Sequence, residues 1–486
     1  MSPSLILLCV IAYSALLFYV VWRTSRNADS DSYFIGNKSS KWYLVAYGMI
    51  GASLSGVTFM SVPGLVGPSH FTYMMVVFGY LLGYTVIAKV LLPTYYRMNL
   101  TSIYSYLESR LGFWSYKTGA FYFLLSRAIG ASFRLYIVVN VLQTFVFDNW
   151  GVPFWVTVAT FIFLILLYTY KGGVKTIVWT DTLQTSFMLL AVIISVVLIV
   201  KETGWSFGTI ITKISDDGYT QIVNNDWRTK SYYLKHFFGG VFIAIAMTGL
   251  DQEMMQKNIS VKTLKDSQKN MYIFSIVLVF INLLFLFLGA LLYLFANSKS
   301  IAIPLPGKED NLFPFIALNY LGVTAGIFFI IGLISAAYPS ADGALTALTS
   351  SFCIDFLGLK KKNWPEKKQR NVRYTVHLSF AILLLLLIVI FRIINDEAVI
   401  SKLFTIAGYT YGPLLGLYSF GLITKRGLYD RFVPFVCILS PAICYLINEH
   451  SINWFNGYKF GFELLILNGT ITFIGLIIIS VKKKPL

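Results

Sequence analysis

One stretch limits this chain more than any other. Residues 42–64, WYLVAYGMIGASLSGVTFMSVPG, are apolar enough to cross a bilayer yet polar at their centre. Gly48, Gly51, Gly56 and Gly64 alternate there with Ser53, Ser55, Thr58 and Ser61, and Pro63 follows. A helix facing lipid has no use for such a centre, because each unpaired backbone group in hydrocarbon costs several kcal/mol. Broken backbone at membrane depth is tolerated where it lines a cavity, and its freed carbonyls can hold a cation. The expectation is a chain unwound between Gly51 and Thr58 that serves the passage of small solutes.

The rest of the chain supplies the membrane setting. It has 486 residues, 57% hydrophobic and only 13% charged, with a mean hydropathy of +0.69. This excludes a soluble domain and predicts an all-α integral membrane protein. A β-barrel would show short alternating strands between turns. The formal charge of +17 sits in short clusters between apolar runs, so topology explains it and nucleic acid does not. Cys9, Cys353, Cys437 and Cys444 lie in apolar segments without a CxxC pattern, which predicts packing rather than a metal or redox site.

Apolar runs of about 18 residues or more predict about thirteen spans. Their limits are 3–23, 42–64, 70–96, 115–146, 153–170, 174–201, 236–257, 271–297, 322–351, 373–394, 399–422, 431–448 and 462–481. Odd-numbered connections carry the basic residues: Arg26, Lys38 and Lys41, then Arg97 and Arg110, Lys171 and Lys175, Lys257 to Lys269, Lys360 to Arg373, Lys425 to Arg431, and Lys482 to Lys484. Even-numbered connections are short or acidic, as at Asp396-Glu397, apart from the long segment 202–235. The asymmetry places the N-terminus outside and the C-terminus in the cytoplasm. Residues 1–486 read as one transporter domain: a peripheral helix at 3–23, core sets at 42–201 and 236–422, and peripheral helices at 431–481. Each core set has five spans. Five is odd, so the second set starts from the opposite face, which is the condition for an inverted repeat. Thr248-Gly249 in the seventh span echoes the polar second span.

Charges inside spans mark polar paths or partners. Asp181 lies early in the sixth span, and Asp342 lies deep in the ninth among Ser340, Thr346, Thr349 and Ser350. Oxygen-only ligands at this density suit a hard cation. Thr349 and Ser350 are expected to bond their own backbone instead. Pro339 lacks a backbone donor and predicts a kink that frees carbonyl oxygen near Ser335 or Ala336. Arg127 and Arg134, seven residues apart, share a helix face. Either pairs with Asp181 or Asp342, or receives an anionic substrate group, for which a guanidinium fork suits a carboxylate. His236 is placed at a loop edge and His377 at a helix start, both without partners.

Several segments together resemble the solute:sodium symporter family over most of the chain. They are the polar second span, Tyr170-Lys171-Gly172-Gly173 followed by Trp179-Thr180-Asp181-Thr182-Leu183-Gln184, Gly249-Leu250-Asp251-Gln252-Glu253-Met254-Met255-Gln256-Lys257, and Gly408-Tyr409-Thr410-Tyr411-Gly412-Pro413. The resemblance implies the leucine-transporter fold, with a 5+5 inverted repeat and sodium-driven alternating access in the plasma membrane. It implies a main sodium site at Gly51, Leu54, Ala336 and Ser340, with Pro339 where the family has a hydroxyl. It implies a second cation site at Asp181, with Asp342 in a hydroxyl position. Substrate contacts map to Ser53, Ser55, Thr58 and Phe59, a short hydroxyl pattern similar to that of bacterial sialic acid carriers. With Arg127 or Arg134 nearby, the expected solute is a sialic acid or small carboxylate; a sugar or neutral solute is the alternative. A channel is the first rival and a membrane sensor the second. An enzyme is disfavoured because no HExxH, GxSxG or paired Cys-His constellation occurs.

Overall fold

The computed structural model describes residues 2–24, 40–303, 308–362, 364–394 and 399–482, without the side chains of residues 168, 170–176, 360 and 394. Arg26, Lys38, Asp396, Glu397, Lys483 and Lys484 therefore lie outside the described residues, as do the side chains of Lys171 and Lys175.

Among the described residues the regular structure is helical, apart from one two-residue antiparallel ladder pairing Gly427 with Val481 and Leu428 with Ser480 and an isolated bridge between Ser40 and Val261. Helix α1 spans Pro3–Thr24. The polar stretch forms two pieces, α2 (Trp42–Ser53) and α3 (Gly56–Ser69). Then come α4 (Tyr73–Val86), which continues through a π-turn to Arg97, α5 (Phe113–Leu142) and α6 (Phe154–Thr203). The second set opens with α7 (Tyr233–Ala244) and α8 (Gln252–Ile259), followed by α9 (Leu264–Ser298), α10 (Gly322–Ser351), α11 (Glu366–Ile394) and α12 (Val399–Ile423). Helices α13 (Val433–Trp454) and α14 (Leu464–Ile478) pack on α12 from outside the two sets.

Both sets begin with a broken helix. The second break bends the chain by 67° between Tyr233–Gly249 and Gln252–Ile259, where the sequence suggested only an echo. Another difference concerns α6. The loop expected at Lys171–Gly173 is helical backbone inside a 50-residue helix. Glycine weakens a helix by about 1 kcal/mol per residue without ending it, and no proline follows here.

Among the described residues, eight helices are long and apolar enough to cross a membrane, or nine with the bent pair. The expected thirteen is not reached by that measure. The expected span at 462–481 contains an apolar helix too short to qualify, and α2 is only 12 residues long because the polar centre interrupts it. The broken spans owe their length to residues chosen for something other than lipid.

Side chains such as Ile11, Phe163, Val197, Phe280, Leu386 and Phe435 point outwards. An apolar belt of this kind suits hydrocarbon rather than water. Inside, α10 lies across α6 and touches α2, α3 and α5, so the two breaks and the helix of Asp342 meet at one centre.

Candidate functional site

The first break is the expected one. Leu54 (φ −86°, ψ 88°) and Ser55 (φ −85°, ψ 178°) leave helical geometry. The ladder stops with the Leu54 N–H donating to the Ile50 carbonyl at 2.7 Å, and resumes with the Phe59 N–H donating to the Ser55 carbonyl at 3.0 Å. The carbonyls of Gly51, Ala52, Ser53 and Leu54 fall between these bonds and lack the donor four residues on. Gly51 is required by packing. A Cβ there would lie 2.3 Å from Thr185 Oγ1 of α6, so only glycine lets the two helices approach this closely.

Facing this break is α10. Ala336 and Ser340 are fully buried, and α10 packs on both α2 and α3. Helix α10 runs unbroken through Pro339. Proline still denies the Ser335 carbonyl its donor. Among the described residues the buried hydroxyls of Ser340, Thr346 and Ser350 make no hydrogen bond. Thr349 donates to the Leu345 carbonyl at 2.7 Å as expected, whereas Ser350 does not bond its own backbone. Hydroxyls buried without partners are costly, and one that faced bare carbonyls would supply oxygen for a hard cation.

A cavity of ≈ 70 Å³, traced by the centre of a water-sized sphere, opens beside the first break. Ser53, Ser55 and Thr58 line it, as do Arg127 and Arg134 from α5. Tyr73, Tyr80 and Tyr84 of α4, Thr248 at the second break and Asn282 of α9 complete its polar wall. Phe59 does not belong to it. It is fully buried against Phe285, Phe313 and Phe329. One step along a helix turns the side chain by about 100°, so lining by Thr58 carries Phe59 into the aromatic core.

The two arginines have different neighbours. Arg127 is buried and ion-paired to Glu253, with Asp251 at 3.7 Å, rather than to Asp181 or Asp342. Arg134 makes no ion pair among the described residues, and its buried Nε has no hydrogen-bond partner. It is a cation at the cavity with no direct carboxylate partner among the described residues, acted on at longer range by Asp251.

The second break explains Arg127's partners. Asp251, in extended geometry, caps α8 by accepting the N–H groups of Glu253 (2.9 Å) and Met254 (3.2 Å), which satisfies donors the break would otherwise strand. Tyr411 of α12 donates to its other oxygen at 3.1 Å. Four residues beyond Glu253, Lys257 reaches back to Glu253 at 3.1 Å and across to Asp181 of α6 at 2.8 Å. Lys257 is only 3% exposed; it belongs to the buried network and not to the basic loop assigned from sequence. Gly343 makes room for it, since a Cβ there would meet Glu253 Oε1 at 2.2 Å.

Asp181 and Asp342 thus have separate surroundings. Asp181 is fully buried and holds Lys257. Asp342 is also fully buried, accepts the Gly343 N–H, and interacts electrostatically with Tyr338 and with Tyr13 of α1. The histidines have partners after all. His377 bridges Thr169 and Thr349, each at 2.9 Å, and His236 meets the Thr72 carbonyl at 3.0 Å. The sequence reading missed Glu253, Lys257 and the three cavity tyrosines. The acids could have been found, because Asp251 and Glu253 already stood inside an expected span.

The chain is similar to known transporters. A sodium/sialic acid symporter of Proteus mirabilis is 23% identical, with 94% of this chain and 92% of the relative covered. The mouse sodium-coupled monocarboxylate transporter 1 is 24% identical over 84% of this chain and 67% of its own length. A solved, substrate-bound, outward-open Na+-coupled sialic acid symporter superposes with a TM-score of 0.82 at 19% identity, over 98% of this chain and 99% of that one. A closed nucleobase-cation-symport-1 transporter gives 0.55 at 12% identity, over 93% and 94%. These likenesses establish the leucine-transporter-like fold. The profile of the Sodium:solute symporter family matches residues 33–427; this multi-pass membrane protein belongs to that family, with sodium as the co-transported ion.

Proposed function

We propose that the chain imports a small organic anion, sialic-acid-like or a monocarboxylate, together with sodium by alternating access. One observation carries the reading: Arg134 lines the cavity without a carboxylate partner, whereas Arg127 beside it is held by Glu253 and Asp251. A guanidinium that is half-buried with its Nε buried and unpartnered is costly unless a ligand supplies the missing acceptor, and its fork fits a carboxylate bidentately. The names of the relatives, sialic acid and monocarboxylate carriers, support the same class.

In this reading sodium binds the carbonyls of Gly51, Leu54 and Ala336 with the hydroxyl of Ser340, and Asp342 adds negative charge two residues along the same helix. Ser53, Ser55 and Thr58 take the solute's hydroxyls. Sodium bound at the break favours the outward-open arrangement and so completes the solute site. Sodium entering at about −100 mV gains roughly 2.3 kcal/mol, and a tenfold gradient adds about 1.4 kcal/mol. The basic connections orient the chain with its N-terminus outside and its C-terminus in the cytoplasm of the cell whose plasma membrane holds it.

Purified transporter tests this. A sialic acid or pyruvate raises the melting temperature in sodium but not in choline, and glucose does not. Arg134→Gln abolishes the solute response and keeps the sodium response. Stabilisation by glucose alone, or an unchanged response in Arg134→Gln, overturns the anionic reading.

A further inference from the structure

At the face that the basic connections assign to the cytoplasm, an open cavity of ≈ 460 Å³ lies apart from the solute site. Three segments meet there. Arg97 comes from the end of the α4 extension, Tyr106 and Arg110 from the short helix Ser105–Arg110, and Leu422 and Lys425 from the end of α12 and just beyond it. Among the described residues no acidic side chain lines the cavity. We propose that this pocket binds the headgroup of an anionic phospholipid, with the phosphate held by Arg97 and Lys425 and the acyl chains laid against the exposed end of α12.

Membrane topology requires basic residues in the connections, not their convergence on one pocket. Here they converge without a counter-ion. Arg110 is the fixed member: its Nε donates to the Gly421 carbonyl at 3.1 Å, its Nη1 to the Arg426 carbonyl at 3.0 Å, and its Nη2 to the Thr424 carbonyl. These bonds satisfy carbonyls stranded around the end of α12 and anchor a positive charge at the pocket. Arg97 and Lys425 are exposed and make no ion pair or hydrogen bond among the described residues. Tyr106 stacks on Tyr418 with ring centres 5.6 Å apart, and both Arg97 and Arg110 act on it electrostatically. A phosphodiester matches this lining, since its charge answers the cations and its oxygens accept from guanidinium and ammonium. The rim selects a lipid over free phosphate. Leu422 and Ile423 are 37% and 75% exposed, an apolar lip on which acyl chains can lie. Basic pockets at the cytoplasmic ends of membrane helices take lipid headgroups on the same physical grounds.

The inference is independent of the solute reading. Purified, delipidated transporter in detergent is titrated with dioctanoyl phosphatidylglycerol, dioctanoyl phosphatidylcholine or inorganic phosphate while thermal unfolding is followed. Phosphatidylglycerol raises the melting temperature saturably, and the other two leave it in place. Arg97→Gln combined with Lys425→Gln melts as the wild type without lipid, and its half-saturating phosphatidylglycerol rises by roughly tenfold or more. Lys367→Gln combined with Arg370→Gln, which removes two exposed cations from the start of α11, responds as the wild type. An equal response to phosphatidylcholine, an unchanged response in the pocket variant, or an equal loss in the α11 variant overturns the proposal. A full response to inorganic phosphate also overturns it, because the pocket would then take the anion without the lipid. Native mass spectrometry of the wild type, released from nanodiscs of mixed phosphatidylglycerol and phosphatidylcholine, decides the matter should the pocket variant fail to fold. Retained phosphatidylglycerol supports the site, and release of both lipids alike overturns it.

Discussion

The two broken helices solve one problem in opposite ways. At the first break, Leu54 and Ser55 interrupt the ladder with no charged residue nearby in sequence, and four carbonyls lose their donors. At the second, Leu250 and Asp251 interrupt it, but Asp251 caps the next helix and Arg127, Tyr411, Glu253 and Lys257 gather around it. In the proposed reading the first break is the one that receives the incoming ion. The second is closed by the protein's own charges, and Met254 beside it lines the cavity together with its partner Arg127 of α5. An interrupted helix is thus a site or a lock according to whether the chain satisfies it internally.

Substitutions can break this contrast. The largest effect is expected for Glu253→Gln, which removes the carboxylate shared by two buried cations and leaves Lys257 only Asp181 and Arg127 only Asp251. Removing one member of a buried ion pair costs about 3–5 kcal/mol, so thermal unfolding in detergent should fall sharply and uptake should be lost. If stability is unchanged, the second break is not held by its charges.

Next in size is Ser340→Ala at the first break. It removes one oxygen from the proposed sodium shell without leaving a buried group unpaired, because Ser340 makes no hydrogen bond. A hydrogen bond to a charged group is worth about 1.5–3 kcal/mol, so half-saturating sodium should rise by roughly tenfold or more while the melting temperature without sodium holds. An equal loss of stability with and without sodium would make the hydroxyl structural.

The smallest effect is expected for Phe59→Leu. Apolar swaps of similar volume in a core usually cost under about 1.5 kcal/mol. Solute affinity should stay within a factor of two, which uptake at varied solute concentration measures. A large rise in the Michaelis constant would return Phe59 to the cavity wall.

Much of the first break was legible in the residues. Glycine and hydroxyl at alternating places in an apolar run fit neither lipid nor a tight core, and Gly51 fits only a close helix contact. The grouping into two sets of five spans followed from apolar length and loop charge. Placing Arg127 and Arg134 on one face was also simple helix geometry.

The second break was not legible in the same way. Lys257 looks like a loop lysine until α6 brings Asp181 to it across 76 positions of sequence. Arg127 and Arg134 are equivalent by spacing, and only the fold gives one of them Glu253 and leaves the other facing the cavity. Phe59 is one residue from Thr58, yet the rotation of α3 against α10 sends it to the core. Local order is set by side-chain size, backbone freedom and hydropathy, all properties of neighbouring residues. Which buried charge meets which depends on long-range packing, because electrostatic partners need only be near in space.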